Sequence, residues 1–395
     1  MYFINNEDFV EQEYIIKNGV KTVMTISQLF GAAPYPTERI LHREWKLSST
    51  QKIFKIFQIL WTITLFGTFC YCTRSIFSKT LDHEVSFSMI LFRLQFVHLF
   101  VTMSMVMIVF QINLSKYQMF VESIRSLVQG IPLNKVQLIV ETSVLRHRRL
   151  VLVLSVSVLL FLFFQFYTDN SYSLSFVAVG YSFIPEWMLI LAITQFTFFA
   201  TMSLETCKVM NEIVIDLIEK QNLSKSKKIS YTLDIIRYKM LTIKTLLFDL
   251  GRLNGVLIVN TVLGNITGSG LELLEIYQYF QEPNYSTNEV VYFLYTVLYL
   301  IFMLLEVLLC LFPFHLVHKE ITKMGLNLCN VNNKQLFEMS DRFSQQILVL
   351  CKKPVLCGIV SLDMRIGVTI VATLTTYFIL MIQSKDVAER SLISF

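Results

Sequence analysis

Seven apolar runs stand out along the chain: Ile53–Cys72, Val85–Ile108, Leu150–Tyr167, Ser175–Leu204, Asn254–Leu274, Val290–Phe312 and Gly358–Gln383. A run of about 20 apolar residues crosses a bilayer as a helix, because only a helix satisfies its own backbone groups there. The pattern predicts an all-α membrane protein with seven transmembrane helices. The fifth run is the least regular, since Gly264, Gly268, Ser269 and Gly270 loosen its far end and invite a break. Gly264 and Gly268 also have the four-residue spacing of a close-packing surface between helices.

Residues 205–253 show a different period. Val209, Ile213 and Leu217, then Leu233, Ile236, Met240 and Ile243, recur at spacings of three and four among charges. That spacing predicts amphipathic helices. They either extend spans four and five below the membrane as a stalk, rising about 5.4 Å per turn, or lie flat on anionic lipid, which Lys225, Lys227 and Lys228 would suit. The stalk is the reading adopted. The chain then divides into an amino-terminal segment (1–52), six helices with that extension (53–312), a second anchor segment (313–357), the last helix (358–384) and a tail (385–395).

Composition agrees with lipid as the main solvent. Of 395 residues, 54% are hydrophobic and 16% charged, and the mean hydropathy is +0.56. The net charge of +5 is small, but its distribution is not even. The amino-terminal segment and the second, fourth and sixth connections hold 27 Lys and Arg, against 4 on the opposite side. Basic loops stay cytoplasmic, so the amino terminus is expected inside and the carboxyl terminus outside. The sequon Asn284-Tyr285-Ser286 then falls outside, as a glycosylation acceptor should. Asn113 and Asn222 begin sequons on the inner side, and Asn265 begins one deep in the bilayer. Glu7, Asp8, Glu11 and Glu13 near the start argue against a secretory signal peptide. Seven scattered cysteines form no CxxC pair, so no disulfide framework is expected.

Catalytic patterns are absent: the chain has no HExxH, GxSxG or GxxxxGK. His315 and His318 stand three apart after Pro313 without further ligands, and read as interfacial residues rather than a metal site. No enzyme activity, cofactor, metal or nucleic-acid partner is expected. Asp341-Arg342-Phe343 imitates a motif of G-protein-coupled receptors, but it lies in the sixth connection, and those receptors carry their amino terminus outside. Span seven is more informative. At about 100° per residue, Thr373, Thr376, Leu380 and Gln383 all project within about 40° of Thr369. Such a polar stripe either hydrogen-bonds to its own backbone or a neighbouring helix, or lines water at the axis of an oligomer.

Thr376-Tyr377-Phe378-Ile379-Leu380-Met381-Ile382-Gln383 resembles the Thr-Tyr, five apolar residues, Gln-Phe signature in the last span of insect gustatory receptors. Span number, orientation, length and long cytoplasmic connections match as well. The resemblance implies a ligand-gated, non-selective cation channel of four subunits, identical or mixed with related receptor subunits, in the plasma membrane of gustatory neurons. It also implies that the inner ends of spans four to seven form the anchor. Thr369, Thr373, Thr376, Tyr377, Leu380, Gln383 and Ser384 would line or gate the pore. Ser384 stands where the family has Phe, so the outer gate would fall to Leu380 or Ile379. Sugar receptors of the family carry an acidic residue after the Thr-Tyr pair; Phe378 here favours a bitter, deterrent plant compound over a sugar.

The ligand would enter from outside, among spans two to six. Residues in the outer halves of these spans include Phe92, Arg93 and Gln95 in span two, Gln165 in span three, Glu186 and Trp187 in span four, and Tyr295 and Tyr299 in span six. Tyr292, Tyr295 and Tyr299 share one helical face. Arg93 and Glu186 lie at overlapping depths of about 12 and 17 Å. They either neutralise each other or receive a polar ligand. Glu306, deeper in span six, either bonds to a neighbouring helix or couples the pocket to the pore.

Overall fold

Most of the apolar runs lie inside helices that continue well beyond them. The computed structural model describes residues 6–29, 32–33, 36–41, 46, 48–81, 87–109, 113–168, 183–219, 226–281, 287–329, 341, 343, 345, 355–356, 360–361 and 364–393. In chain order the elements are α1 (Asn6–Leu29), α2 (Thr37–Leu41), α3 (Ser49–Leu81), and α4 (Phe87–Ser104), which runs into a π-helical turn at Met105–Val109. Then follow α5 (Leu114–Val128), α6 (Leu133–Thr168), α7 (Ile184–Glu219), α8 (Ser226–Gln281) and α9 (Thr287–Cys329). The strands β1 (Val355–Leu356) and β2 (Val360–Ser361) precede the last helix, α10 (Met364–Ile393).

Among the described residues, α3, α6, α7, α8 and α9 are long and apolar enough to cross a membrane, and shorter apolar stretches occupy Arg93–Met107 and Arg365–Leu380. Together these are the seven spans. Helix α7 is the axis of the bundle: 94% of its apolar window is buried, against 11% for α3. Ile53, Phe54, Ile56, Phe57, Ile59, Leu60 and Ile63 on α3 are exposed on several sides. A helix of this composition at the bundle edge has hydrocarbon as its natural surroundings. The end where α8 meets α9, joined by Tyr292 and Glu275, is the far end here; the opposite, Lys- and Arg-rich end is the basic end.

Two expectations change. The fifth span is not broken, because α8 passes through Gly264–Gly270 without interruption. A glycine inside a helix costs about 1 kcal/mol, and here close packing occupies the space it leaves. A Cβ on Gly264 would lie 2.2 Å from the His98 ring, and one on Gly268 would lie 2.8 Å from Met303 Cε. The glycines are contact positions for α4 and α9. The seventh helix begins at Met364 rather than Gly358, and Val360–Ser361 pairs antiparallel with Val355–Leu356, a two-residue bridge in an otherwise all-α fold. Residues 175–182 of span four lie outside the described residues, and its helix is described from Ile184.

The connections hold more helix than their hydropathy suggests. Helix α1 seats Ile16, Val20, Val23 and Met24 in the core, a three-to-four spacing that marks an amphipathic helix. Gly19 lets it approach α6, where an added Cβ would meet Val140 Cγ1 at 2.6 Å. Gln12 Nε2 donates to Ile131 O (2.8 Å), and Arg125 pairs with Glu13 at 3.4 Å. Residues 205–219 continue α7 and residues 226–253 open α8, each as one unbroken helix. Pro313 lies inside α9, which runs on to Cys329 despite the backbone bond that proline cannot make.

Candidate functional site

The far half of α9 presents one aromatic face. Tyr292, Tyr295, Tyr299 and Phe302 recur at three- and four-residue intervals, so their rings stack along the helix: Tyr295 and Tyr299 lie 5.9 Å apart and 5° from parallel. Phe161 of α6 meets Tyr295, Tyr299 and Phe302 edge-on, at 6.0, 5.3 and 5.1 Å. Edge-to-face contacts set the positive rim of one ring against the negative face of another. Leu154, Val158 and Ile190 bury the base of this cluster.

Carboxyl groups surround the ladder. Tyr299 donates its hydroxyl to Glu186 Oε1 at 3.1 Å, joining α9 to α7. The Glu186 and Glu306 carboxyl groups lie within hydrogen-bonding reach of each other. Asn265 of α8 donates to Glu306 Oε2 at 3.3 Å and to Met303 O at 2.8 Å. On the same face of α8, Glu275 accepts the Tyr292 hydroxyl at 2.6 Å, and Glu272 is buried one turn away. Glu186 Oε2, Glu306 Oε1 and Glu272 Oε2 are shielded from solvent and meet no hydrogen-bond donor among the described residues.

Of the residues expected to line a pocket, Glu186, Tyr295 and Tyr299 converge here. Trp187 turns to stack on Phe183 at 6.0 Å. Gln95 and Arg93 are half-buried on α4, with Gln95 toward Gly268, and Glu186 faces Tyr299 and Glu306. Phe92, Gln165 and Ser384 lie in helices, but their side chains fall outside the described residues, as does Asn284 altogether. Phe161, Phe302, Asn265 and Glu272 join the site without having been expected there. The available signal was an acid or amide within an apolar run, which a bilayer tolerates only with a partner. Glu306 finds such a partner in Asn265. Nearer the basic end, Asn260 donates to His98 O and Thr102 Oγ1, at 3.2 and 2.9 Å, and ties α8 to α4.

Helix α10 buries one narrow edge and exposes the rest, Val368, Val371 and Ile379 included. Ile370 and Leu374 are buried against the bundle, Phe378 meets Tyr277 of α8 edge-on at 6.3 Å, and Gly367 lies against Leu308 of α9. Thr369, Thr373, Thr376, Leu380 and Gln383 are all exposed, with Tyr377 half-buried at the margin. The Thr369, Thr373 and Thr376 hydroxyls each donate to the carbonyl four residues earlier, at 2.8 to 3.0 Å. The stripe bonds to its own backbone, one of the two sequence expectations, and its side chains are exposed on this chain.

A family model for 7tm chemosensory receptors matches residues 20–387. The chain belongs to this family. It is a chemosensory receptor of the insect odorant and gustatory receptor superfamily. Two solved structures share its fold. The olfactory receptor OR5 from Machilis hrabei aligns with a TM-score of 0.67 at 12% identity, covering 95% of this chain and 100% of that one. The same receptor in complex with eugenol aligns with a TM-score of 0.61 at 14% identity and the same coverage. No curated protein sequence matches. At these identities the likeness is one of fold, and the roles of individual receptor side chains rest on the geometry above.

Proposed function

We propose that this receptor is a tetrameric, ligand-gated, non-selective cation channel of the gustatory branch, opened by a small molecule that binds from outside. The observation that carries this reading is α10. Ile370 and Leu374 pack on the bundle, while Thr369, Thr373, Thr376, Leu380 and Gln383 are exposed together with the apolar Val368, Val371 and Ile379, a surface that supports contact with further copies of the chain. Four such edges around one axis would make a hydroxyl-lined path, with Leu380 as an apolar constriction that gates by dewetting. The Lys and Arg distribution supports a cytoplasmic amino terminus in the plasma membrane.

The ligand site is the aromatic and carboxyl cluster between α6, α7, α8 and α9. That the similar Machilis receptor holds eugenol supports a small aromatic ligand. Phe378, in place of an acid after Thr376-Tyr377, supports a deterrent compound over a sugar. A ligand opens the channel only by binding the open arrangement more tightly than the closed one. Patch recording of the chain expressed alone, against sugars and plant alkaloids or glycosides, tests the reading. Ligand-evoked cation current whose permeation changes in Gln383→Ala supports it. Confirmed surface expression without current from any compound, or unaltered permeation and gating in Gln383→Ala, counts against it.

A further inference from the structure

The helices that form the candidate site carry an unbalanced charge. Residues 150–204 and 253–318 contain no Lys or Arg at all. Within them, Glu186, Glu272, Glu275 and Glu306 converge on the tyrosine ladder, from α7, α8 and α9. Glu306 is only 1% exposed and Glu272 only 6%. Each keeps one carboxyl oxygen without a donor, as does Glu186. A buried acceptor with no donor is rare in a folded protein and marks a group that something else satisfies. Two carboxyl groups as close as Glu186 and Glu306 repel when both are ionised, so they either share a proton or hold a cation between them.

The chemistry of the missing donor follows from its surroundings. Among the described residues no three His, Cys, Asp or Glu stand close enough together to hold a metal ion. An ammonium offers several donors at once and can bridge two acids. The stacked faces of Tyr295 and Tyr299 add the aromatic surface on which cations are favoured.

We propose that the site binds a protonated organic amine, its ammonium bridging Glu186 Oε2 and Glu306 Oε1, its body against the Tyr295–Tyr299–Phe302 ladder, and Glu272 as a second anionic anchor. This rests on the reading of the chain as a small-molecule receptor and narrows the ligand to a cationic class.

The test is direct binding to the purified full chain in detergent at pH 7, which needs no conductance. The probes are matched pairs: benzylamine with benzyl alcohol, 2-phenylethylamine with 2-phenylethanol, and tryptamine with indole-3-ethanol. At least one amine is expected to bind about ten-fold or more tightly than its alcohol. Glu306→Gln and Glu186→Gln should each remove most of that difference, lowering amine affinity by far more than alcohol affinity. Should Glu306→Gln fail to elute like the parent protein, Glu272→Gln supplies the same comparison. Alcohols that bind as tightly as amines, no binding of any amine, or glutamine variants with unchanged amine affinity would each overturn the proposal. Amine binding without current in cells would instead keep this site and remove the channel reading. Current evoked by neutral compounds, with the amines neither binding nor opening, would do the reverse.

Discussion

Tyr299 and Glu186, 113 residues apart in sequence, share a hydrogen bond of 3.1 Å that fastens α9 to the start of α7. The tyrosine ring belongs to the aromatic ladder and its hydroxyl to the carboxyl cluster, so one side chain holds both halves of the site in register. Tyr299→Phe keeps the ring and removes the donor, leaving Glu186 Oε1 bare. The half-maximal concentration of an activating compound should rise about ten-fold, in line with an interaction to a charged group. Dose-response recording measures it, and a superimposable curve would show that the bond has no part in ligand recognition.

Gly264 and Gly268 should differ in their tolerance of a methyl group. At Gly264 the new Cβ meets the His98 ring, a rigid body at 2.2 Å, whereas at Gly268 it meets the free end of Met303, at 2.8 Å. Gly264→Ala is expected to destabilise the detergent-solubilised receptor by about 1–3 kcal/mol, as overpacking does. Gly268→Ala should do less harm, because a methionine end can swing aside. Thermal unfolding of the two variants side by side checks the order; equal or reversed losses would contradict the packing described for α8.

Cysteine scanning separates the two faces of α10. With Leu374 only 5% exposed and Leu380 57% exposed, a charged thiol reagent should alter current in Thr373→Cys and Leu380→Cys and spare Leu374→Cys. Of the described native cysteines, Cys72, Cys207 and Cys310 are buried and Cys70 is half-buried, so the unmodified parent sets the background. Rapid modification at Leu374→Cys, with Thr373→Cys silent, would place the pore on the wrong edge.

Lys239 closes the end of a helix that the hydropathy pattern does not reveal. From α8 its ammonium reaches the last carbonyls of α5, donating to Ser126 O at 3.3 Å, to Gln129 O at 2.5 Å, and to Leu127 O. A cation at a helix carboxyl end also complements the helix dipole. Lys239→Met retains the stem and loses the donors, a change expected to cost about 1.5–3 kcal/mol. Faster hydrogen exchange over residues 124–130 would report it; exchange equal to that of the parent would show that the cap contributes nothing.

The seven spans and the tyrosine face were legible because both are local periodicities, set by the bilayer thickness and the 3.6-residue turn. The partners of Glu186 were not, since the register between helices distant in sequence leaves no mark on either helix alone. Arg93 looked suitable on depth, while the structure gives Glu186 to Tyr299 and Glu306. Asn265 was visible only as a sequon, although its amide closes the Glu306 carboxyl from the neighbouring helix. Gly264 illustrates a second kind of error. Glycine weakens an isolated helix, but against a histidine ring the lack of a side chain is what lets the helix continue. Helices α1 and α5 escaped notice because a search for apolar runs overlooks amphipathic segments, whose signal at Ile16, Val20 and Val23 is one of phase.

The self-bonded threonines of α10 set the electrical character of that edge. Every one of those hydroxyl protons is already spent on a carbonyl of the preceding turn, so the outward oxygens can only accept. Without a single carboxylate, the surface therefore shows lone pairs to whatever passes. In the proposed channel it would favour a sodium or potassium ion over chloride.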